Sequence, residues 1–312
     1  MAKKPETLQT RVTPLQKFLR SDQLFGFGLM LPAMIVLTIV VVFPIVKAIW
    51  TSFCTYKISN LDDPVWNNFE NYKALFKDGL FFTYLKTTVV YVILSVVLQF
   101  VLGFAIALLL NTRIRGRGLA RGLFMIPWVI PSVVIAILWR MLLNEQFGAI
   151  NYFLHLFGIF DKVNVSWVMD SKLSMLAIVI ASSWREIPYI MVMLLAGLQS
   201  VDQTLIEDAL VEGANWWQRL IHVTLPAITP VLITTLWIAV LQAFQMFNII
   251  YNLTGGGPVD ATTTLSIAAY RTAFVTYDFG KGSALGVLWM LILIVGTVFV
   301  NKIKDKSTAQ YN

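Results

Sequence analysis

Six stretches of this chain, at about 27–49, 86–110, 119–141, 173–197, 227–251 and 283–301, are long and apolar enough to cross a lipid bilayer. A crossing needs roughly 20 mainly apolar residues to cover about 30 Å of hydrocarbon. No water reaches the backbone there, so each stretch must satisfy its own hydrogen bonds as a helix. Hydrophobic residues make up 57% of the sequence and charged residues 13%, too apolar for a soluble protein of this length. No intervening stretch exceeds about 40 residues, which leaves no room for a separate globular enzyme domain. The expectation is an all-α integral membrane protein with six transmembrane helices over 27–301, a polar N-terminal segment 1–26 and a tail 302–312. The first stretch is too long for a signal-peptide core and lacks an Ala-x-Ala-like cleavage site, so it reads as a retained span.

The net charge of +7 reads as topology and not as affinity for nucleic acid. Bases gather at Lys3, Lys4, Arg11, Lys17 and Arg20, at Arg113, Arg115, Arg117 and Arg121, at Arg219, and at Lys302, Lys304 and Lys306. All of these fall on one side of the six spans, whereas bases and acids balance on the other. Basic loops stay cytoplasmic, which puts both termini and the 199–226 loop inside. Cys54 is a lone cysteine, so the chain has no disulfide framework or Cys-based metal site. His155 and His222 fall on opposite faces, which argues against a metal site or a proton relay.

The 199–226 loop holds a short charged segment, Glu207-Asp208-Ala209-Leu210-Val211-Glu212-Gly213, followed by Val223-Thr224-Leu225-Pro226. Ser200 and Asp202 can each cap a helix here, and Gly213 can end it in a left-handed turn. A second short helix, Trp216 to Ile221, is expected to lead to Leu225-Pro226, where proline suits the start of the fifth span. A surface helix of this kind gains nothing from lipid, so its use is to meet another protein.

The spacing resembles the signature loop of the permease subunits of binding-protein-dependent ABC importers: Glu-Ala-Ala, three residues, Gly, nine residues, Ile, any residue, Leu-Pro. Every spacing is kept, with Asp208 for the first Ala and Val223 for the Ile. Weaker matches follow in order: Phe43-Pro44-Ile45 with Ser52-Phe53, Phe69-Glu70-Asn71-Tyr72, Ile126-Pro127, Thr254-Gly255-Gly256-Gly257-Pro258, and Asp278-Phe279-Gly280-Lys281-Gly282-Ser283-Ala284. Together they make the chain similar to the MalF-type subunits of carbohydrate importers.

That resemblance implies the type I importer permease fold, in a bacterial plasma (inner) membrane, with a cytoplasmic coupling helix that docks in a cleft of an ATPase. Glu207 would pair with a base of the ATPase, and the small Ala209 and Gly213 would allow close approach. Asp208, Leu210, Glu212, Leu225 and Pro226 complete the coupling loop. The implied partners are a MalG-type second permease, an ABC ATPase dimer, an extracytoplasmic solute-binding protein, the carbohydrate and membrane lipid. ATP and Mg would be bound by the ATPase and no cofactor by this chain. The Gly255–Gly257 run lacks the Lys-Ser/Thr of a phosphate-binding loop and reads as a flexible turn.

Polar residues inside the spans mark a candidate substrate path, since each is costly in hydrocarbon. The fourth span carries Ser182, Arg185, Glu186 and Tyr189; adjacent Arg185 and Glu186 point about 100° apart and are not expected to share a face. On the fifth span Gln242, Gln245, Asn248 and Asn252 fall in one wedge of about 120°, with Phe244, Phe247 and Tyr251 nearly opposite. Amides donate and accept, as sugar hydroxyls require; the alternative is bonding between helices. Arg185 raises the possibility of an acidic sugar, against which stands its pairing with Glu186 or a partner subunit. Pro127 and Pro131 should bend the third span. A secondary carrier would show internal repeats and more intramembrane acids, and a membrane enzyme would show clustered acids; neither pattern is present.

Overall fold

The computed structural model describes residues 22–60, 64–112, 115–159 and 164–309. Most of the N-terminal segment, Arg113 and the last three residues fall outside that range. In chain order the elements are α1 (Phe25–Ser52), a small hairpin of β1 (Cys54–Thr55) and β2 (Val65–Trp66), α2 (Glu70–Lys77), α3 (Leu80–Asn111), α4 (Arg117–Val129), α5 (Ser132–Leu142), α6 (Ala149–Leu156), α7 (Leu173–Gln199), α8 (Gln203–Val211), α9 (Trp216–Phe244), α10 (Asn248–Leu253), α11 (Leu265–Val275) and α12 (Phe279–Ala309). Among the described residues five helices, α1, α3, α7, α9 and α12, are long and apolar enough to span a membrane, and α4 with α5 forms a sixth candidate bent by 94°.

The bend has a local cause. Ile130 is extended (φ −68°, ψ 132°) because the residue before a proline is driven out of the helical region, and Pro131 then opens α5. Pro127, expected to bend the same span, sits inside α4 without breaking it. Two other prolines follow widened turns. A π-turn at Thr38–Val42 precedes Pro44, and another at Leu220–Thr224 precedes Pro226. A wider turn relieves the clash between the proline ring and the carbonyl one turn earlier. The short helix and separate fifth span expected around 216–226 are therefore one continuous helix, α9.

The heart of the bundle is α3 against α7. Gly103 lets them meet: a Cβ there would lie 2.9 Å from Ile190 Cγ2, the small-residue contact that replaces hydrophobic drive inside lipid. Around it lie Tyr91, Ile178, Ile190, Met191 and Leu194, with Ile228, Ile249 and Leu265 from the later helices. Many side chains on α1, such as Phe27, Val40 and Phe43, are exposed, as suits a helix that faces hydrocarbon.

The outer connections carry the short helices α2 and α6. Asn151 anchors α6: its Nδ2 donates to Asn144 O (3.2 Å) and Val165 O (2.9 Å), while Trp167 Nε1 donates to its Oδ1 (2.6 Å). The 252–282 segment, expected to be a loop, instead folds back. The first turn of α11 is buried, and Leu265 N donates to Thr88 Oγ1 of α3 at 2.9 Å. Its glycine turn is tied rather than loose. Thr262 Oγ1 donates to Gly257 O (2.7 Å), Thr263 Oγ1 to Gly256 O (2.9 Å), and Arg271 Nη1 to Asp260 Oδ1 (2.7 Å).

Candidate functional site

The surface helix α8 lies between the end of α7 and the start of α9. Asp202, not Ser200, is its cap: Asp202 Oδ1 accepts from Thr204 N at 3.0 Å. That bond holds the Asp202 carboxyl below its ordinary pKa. Ser200 Oγ donates back to Gly197 O at 2.8 Å. Gly213 closes the helix at φ +83°, where an L side chain would be strained. Gly213 N donates to Leu210 O (3.0 Å) and Ala214 N to Ala209 O (2.9 Å). Asn215 and Gln218 then form a reciprocal capping box that restarts the chain as α9.

Glu207, Asp208, Leu210, Glu212 and Gly213 are exposed and Ala209 is half-buried. Val211 is 88% exposed and Trp217 64%, so apolar and acidic groups share one uncovered surface. Leu225 and Pro226 do not join it. They are half-buried within α9, where Leu225 packs on the core.

The polar groups of α7 divide in two. Ser182 and Glu186 are buried, facing α3. Ser182 Oγ donates to Ile178 O at 2.7 Å, which commits it to its own helix. Ser183 Oγ reaches Ser95 O at 3.4 Å. Tyr91 and Ser95 complete the seam, and Tyr91 Oη, Ser95 Oγ and Glu186 Oε2 make no hydrogen bond of normal geometry among the described residues. Arg185 and Tyr189 are half-exposed on the flank, where Tyr189 stacks on Trp128 at 6.2 Å.

Arg185 Nη1 pairs with Glu186 Oε1. The two were expected to point apart. The Cα–Cβ vectors do diverge, but the long arginine side chain reaches round the helix to its neighbour.

On the later span the expected single wedge is broken, because the helix stops at Phe244 and restarts at Asn248. Gln242 is half-buried, and its Oε1 has no hydrogen-bond partner among the described residues. Gln245, in the break, lines an apolar cavity of about 340 Å³ with Ile49 of α1 and Ser283 and Trp289 of α12. Asn248 Nδ2 donates to Ser132 Oγ at 3.0 Å, and Asn252 Nδ2 to Asn248 O at 2.7 Å. Phe247 and Tyr251 stack at 5.1 Å, but Phe244 is buried apart from them.

Several partners of these groups are absent from the sequence reading: Ser132, Trp128, Tyr91 and Ser95. One signal was present. Thr88, Tyr91, Ser95 and Gln99, spaced at helical intervals, make a polar stripe on α3 that is buried throughout.

This arrangement has known counterparts. Residues 99–308 match the family model described as the binding-protein-dependent transport system inner membrane component. The chain is 36% identical over 170 residues to the trehalose/maltose transport system permease protein MalF of Thermococcus litoralis, an alignment spanning 54% of this chain and 56% of that relative. It is 30% identical over 286 residues to the sulfoquinovosyl glycerol transport system permease protein SmoG of Agrobacterium fabrum, covering 91% and 92% of the two chains. Among solved structures, a chain of a bacterial ABC transporter involved in import of the acidic polysaccharide alginate superposes with a TM-score of 0.80 at 23% identity, over 94% of this chain and 99% of that one. These relatives are transporter subunits and not enzymes. Several membrane-length helices, a bent span and an agreement over two-thirds of the sequence converge: the chain is a multi-pass membrane protein of the binding-protein-dependent transport system inner membrane component family.

Proposed function

We propose that this chain is one of two permease subunits of an ABC importer for a carbohydrate, in the first place an oligosaccharide. An extracytoplasmic solute-binding protein delivers the sugar, and a separate ATPase dimer, which binds ATP and Mg, drives its passage. The observation that carries this reading is α8: a capped, exposed helix between two spans, with Glu207, Asp208 and Glu212 beside the uncovered Leu210 and Val211. Acids with apolar side chains suit a cleft on another protein that offers bases and an apolar floor. Closure of the ATPase dimer presses on Glu207–Gly213, and the rigid α3–α7 pair carries that displacement to the opposite face, opening the path outward. Arg185, Tyr189, Gln242, Gln245 and Asn248 are the polar groups proposed along the path. Both termini and α8 lie on the cytoplasmic side in this reading.

Relatives named for trehalose and maltose and for sulfoquinovosyl glycerol support a sugar or sugar derivative as cargo. Arg185 is poorly suited to select an acidic one, because it already faces the Glu186 carboxylate. The test is purification of the membrane complex with its binding protein, ATPase assay, and mass spectrometry of the bound glycan. Co-purifying ATPase activity stimulated by the loaded binding protein is expected. A complex without a nucleotide-hydrolysing subunit, or with α8 labelled from outside the cell, overturns the reading.

A further inference from the structure

The membrane face opposite α8 holds a concave site that the path above does not use. A cavity of about 450 Å³ opens beside α5, α10 and α11, lined by Arg140, Tyr251, Asn252, Thr254 and Arg271, with Val168 and Met169 among its apolar walls. That volume lies within the roughly 300–1,000 Å³ of small-molecule sites. Its lining is half polar in character, unlike the cavity at Gln245, whose walls are almost wholly apolar.

The charge in this cavity is unbalanced. Arg140 makes no ion pair or hydrogen bond among the described residues and is exposed. Arg271 uses Nη1 on Asp260 Oδ1 (2.7 Å) and Thr263 Oγ1 (3.3 Å), which fixes its guanidinium, while Nη2 and Nε have no partner among the described residues. Asp260 is thereby engaged, and among the described residues no carboxylate lines the cavity. One guanidinium is pre-oriented and the other is free to close on a ligand. Tyr251 supplies a wall held rigid by its neighbours: it stacks on Phe247 at 5.1 Å and meets Tyr270 edge-on at 5.1 Å.

We propose that this cavity is an entry subsite for an anionic sugar. Arg140 and Arg271 take its carboxylate or sulfonate, and Tyr251 covers a C–H face of the ring. Guanidinium groups suit such oxyanions because their planar donor forks match two acceptor oxygens at once. The proposal rests on the carbohydrate reading above and locates acid recognition at the mouth, away from the paired Arg185.

The experiment uses the assembled transporter in nanodiscs and saturation-transfer NMR, with a glucuronic-acid disaccharide and maltose as probes. The uronate is expected to bind more tightly than maltose and to weaken as salt rises. Arg140→Gln should reduce uronate affinity about tenfold, as losing a charge-assisted contact does, with maltose binding unchanged. Arg140→Lys should fall between, since a point charge replaces a fork. Equal binding of the two probes, or uronate binding indifferent to Arg140→Gln, overturns the subsite. Uptake by the same complex reconstituted into proteoliposomes separates the two levels. Sugar uptake with Arg140-independent binding sinks the subsite and leaves the permease reading intact. Arg140-dependent uronate binding in a complex that moves no saccharide keeps the subsite and sinks the carbohydrate reading.

Discussion

Asn248 Nδ2 donates to Ser132 Oγ at 3.0 Å, joining the two places where this bundle breaks its own helices. Ser132 is the first residue of α5, just past the 94° bend, and Asn248 is the first of α10, just past the break at 245–247. Breaks at membrane depth survive where protein groups satisfy them. Ser132→Ala and Asn248→Ala should each lower stability by about 1 kcal/mol. In a double-mutant cycle the pair should couple by about 0.6 kcal/mol, the average for hydrogen bonds between membrane helices. Thermal unfolding in detergent measures both; strictly additive losses would show that the bond contributes nothing.

Arg185 and Glu186 are a second pair whose parts should not behave alike. Glu186 is 3% exposed, whereas the Arg185 side chain keeps 25%. Removing one partner of a buried pair leaves an uncompensated charge and costs about 3–5 kcal/mol, whereas replacing both by apolar groups is often neutral. Arg185→Leu should be the worst variant, because it strands the more deeply buried carboxylate. The double change to Leu should recover most of the loss. A double variant as unstable as Arg185→Leu alone would contradict the pairing.

Gly213 holds φ +83° with open space around its missing Cβ, so strain and not collision opposes substitution there. An L residue in that conformation costs about 1 kcal/mol. Gly213→Asp should therefore insert and fold normally but transport less sugar per ATP hydrolysed, because the exit geometry of α8 changes. The ratio of uptake to ATPase rate in proteoliposomes reports this, and an unchanged ratio would remove Gly213 from the coupling surface.

Asp202 links α8 to pH. Its backbone bond from Thr204 lowers its pKa, so its contribution is present above the unfolded carboxylate value of about 3.9 and fades as pH falls through the lowered one. Protection of the Thr204 amide, its exchange rate compared with the intrinsic rate at the same pH, should thus fall only in acid. Asp202→Ala should exchange quickly at every pH tested, whereas Asp202→Asn, a neutral cap of similar strength, should stay protected and lose the pH dependence. Acid-insensitive protection in the unaltered protein would argue against the cap.

Much of the membrane architecture was legible because its cause is local. A run of apolar residues has few options in hydrocarbon, so the windows near 86–110 and 173–197 became α3 and α7 with only their ends displaced. The extended residue before Pro131 is likewise a property of two neighbours in the chain. The cap at Asp202 and the left-handed turn at Gly213 follow from side-chain and backbone chemistry within a few residues. In the 252–282 segment local signals failed: Leu265–Ala268 reads as a short apolar stretch, and its burial depends on Thr88, distant in sequence.

The candidate path was the least legible part. Helical spacing placed Gln242, Gln245 and Asn248 in one wedge, but a stripe holds only while the helix continues, and it stops at Phe244. Arg185 and Glu186 diverge at Cβ yet meet at their tips, because a long side chain samples more directions than its backbone dictates.

Composition and periodicity alone decided that this chain lives in a membrane as helices, and residue spacing alone marked a short capped helix in the loop between two of them. Which polar groups of different helices face each other, Asn248 with Ser132 and Arg140 with Arg271 across one cavity, was decided only when helices distant in sequence packed together. In hydrocarbon a buried polar atom bonds to whatever polar group the packing brings within reach, and that choice is not made within any single helix.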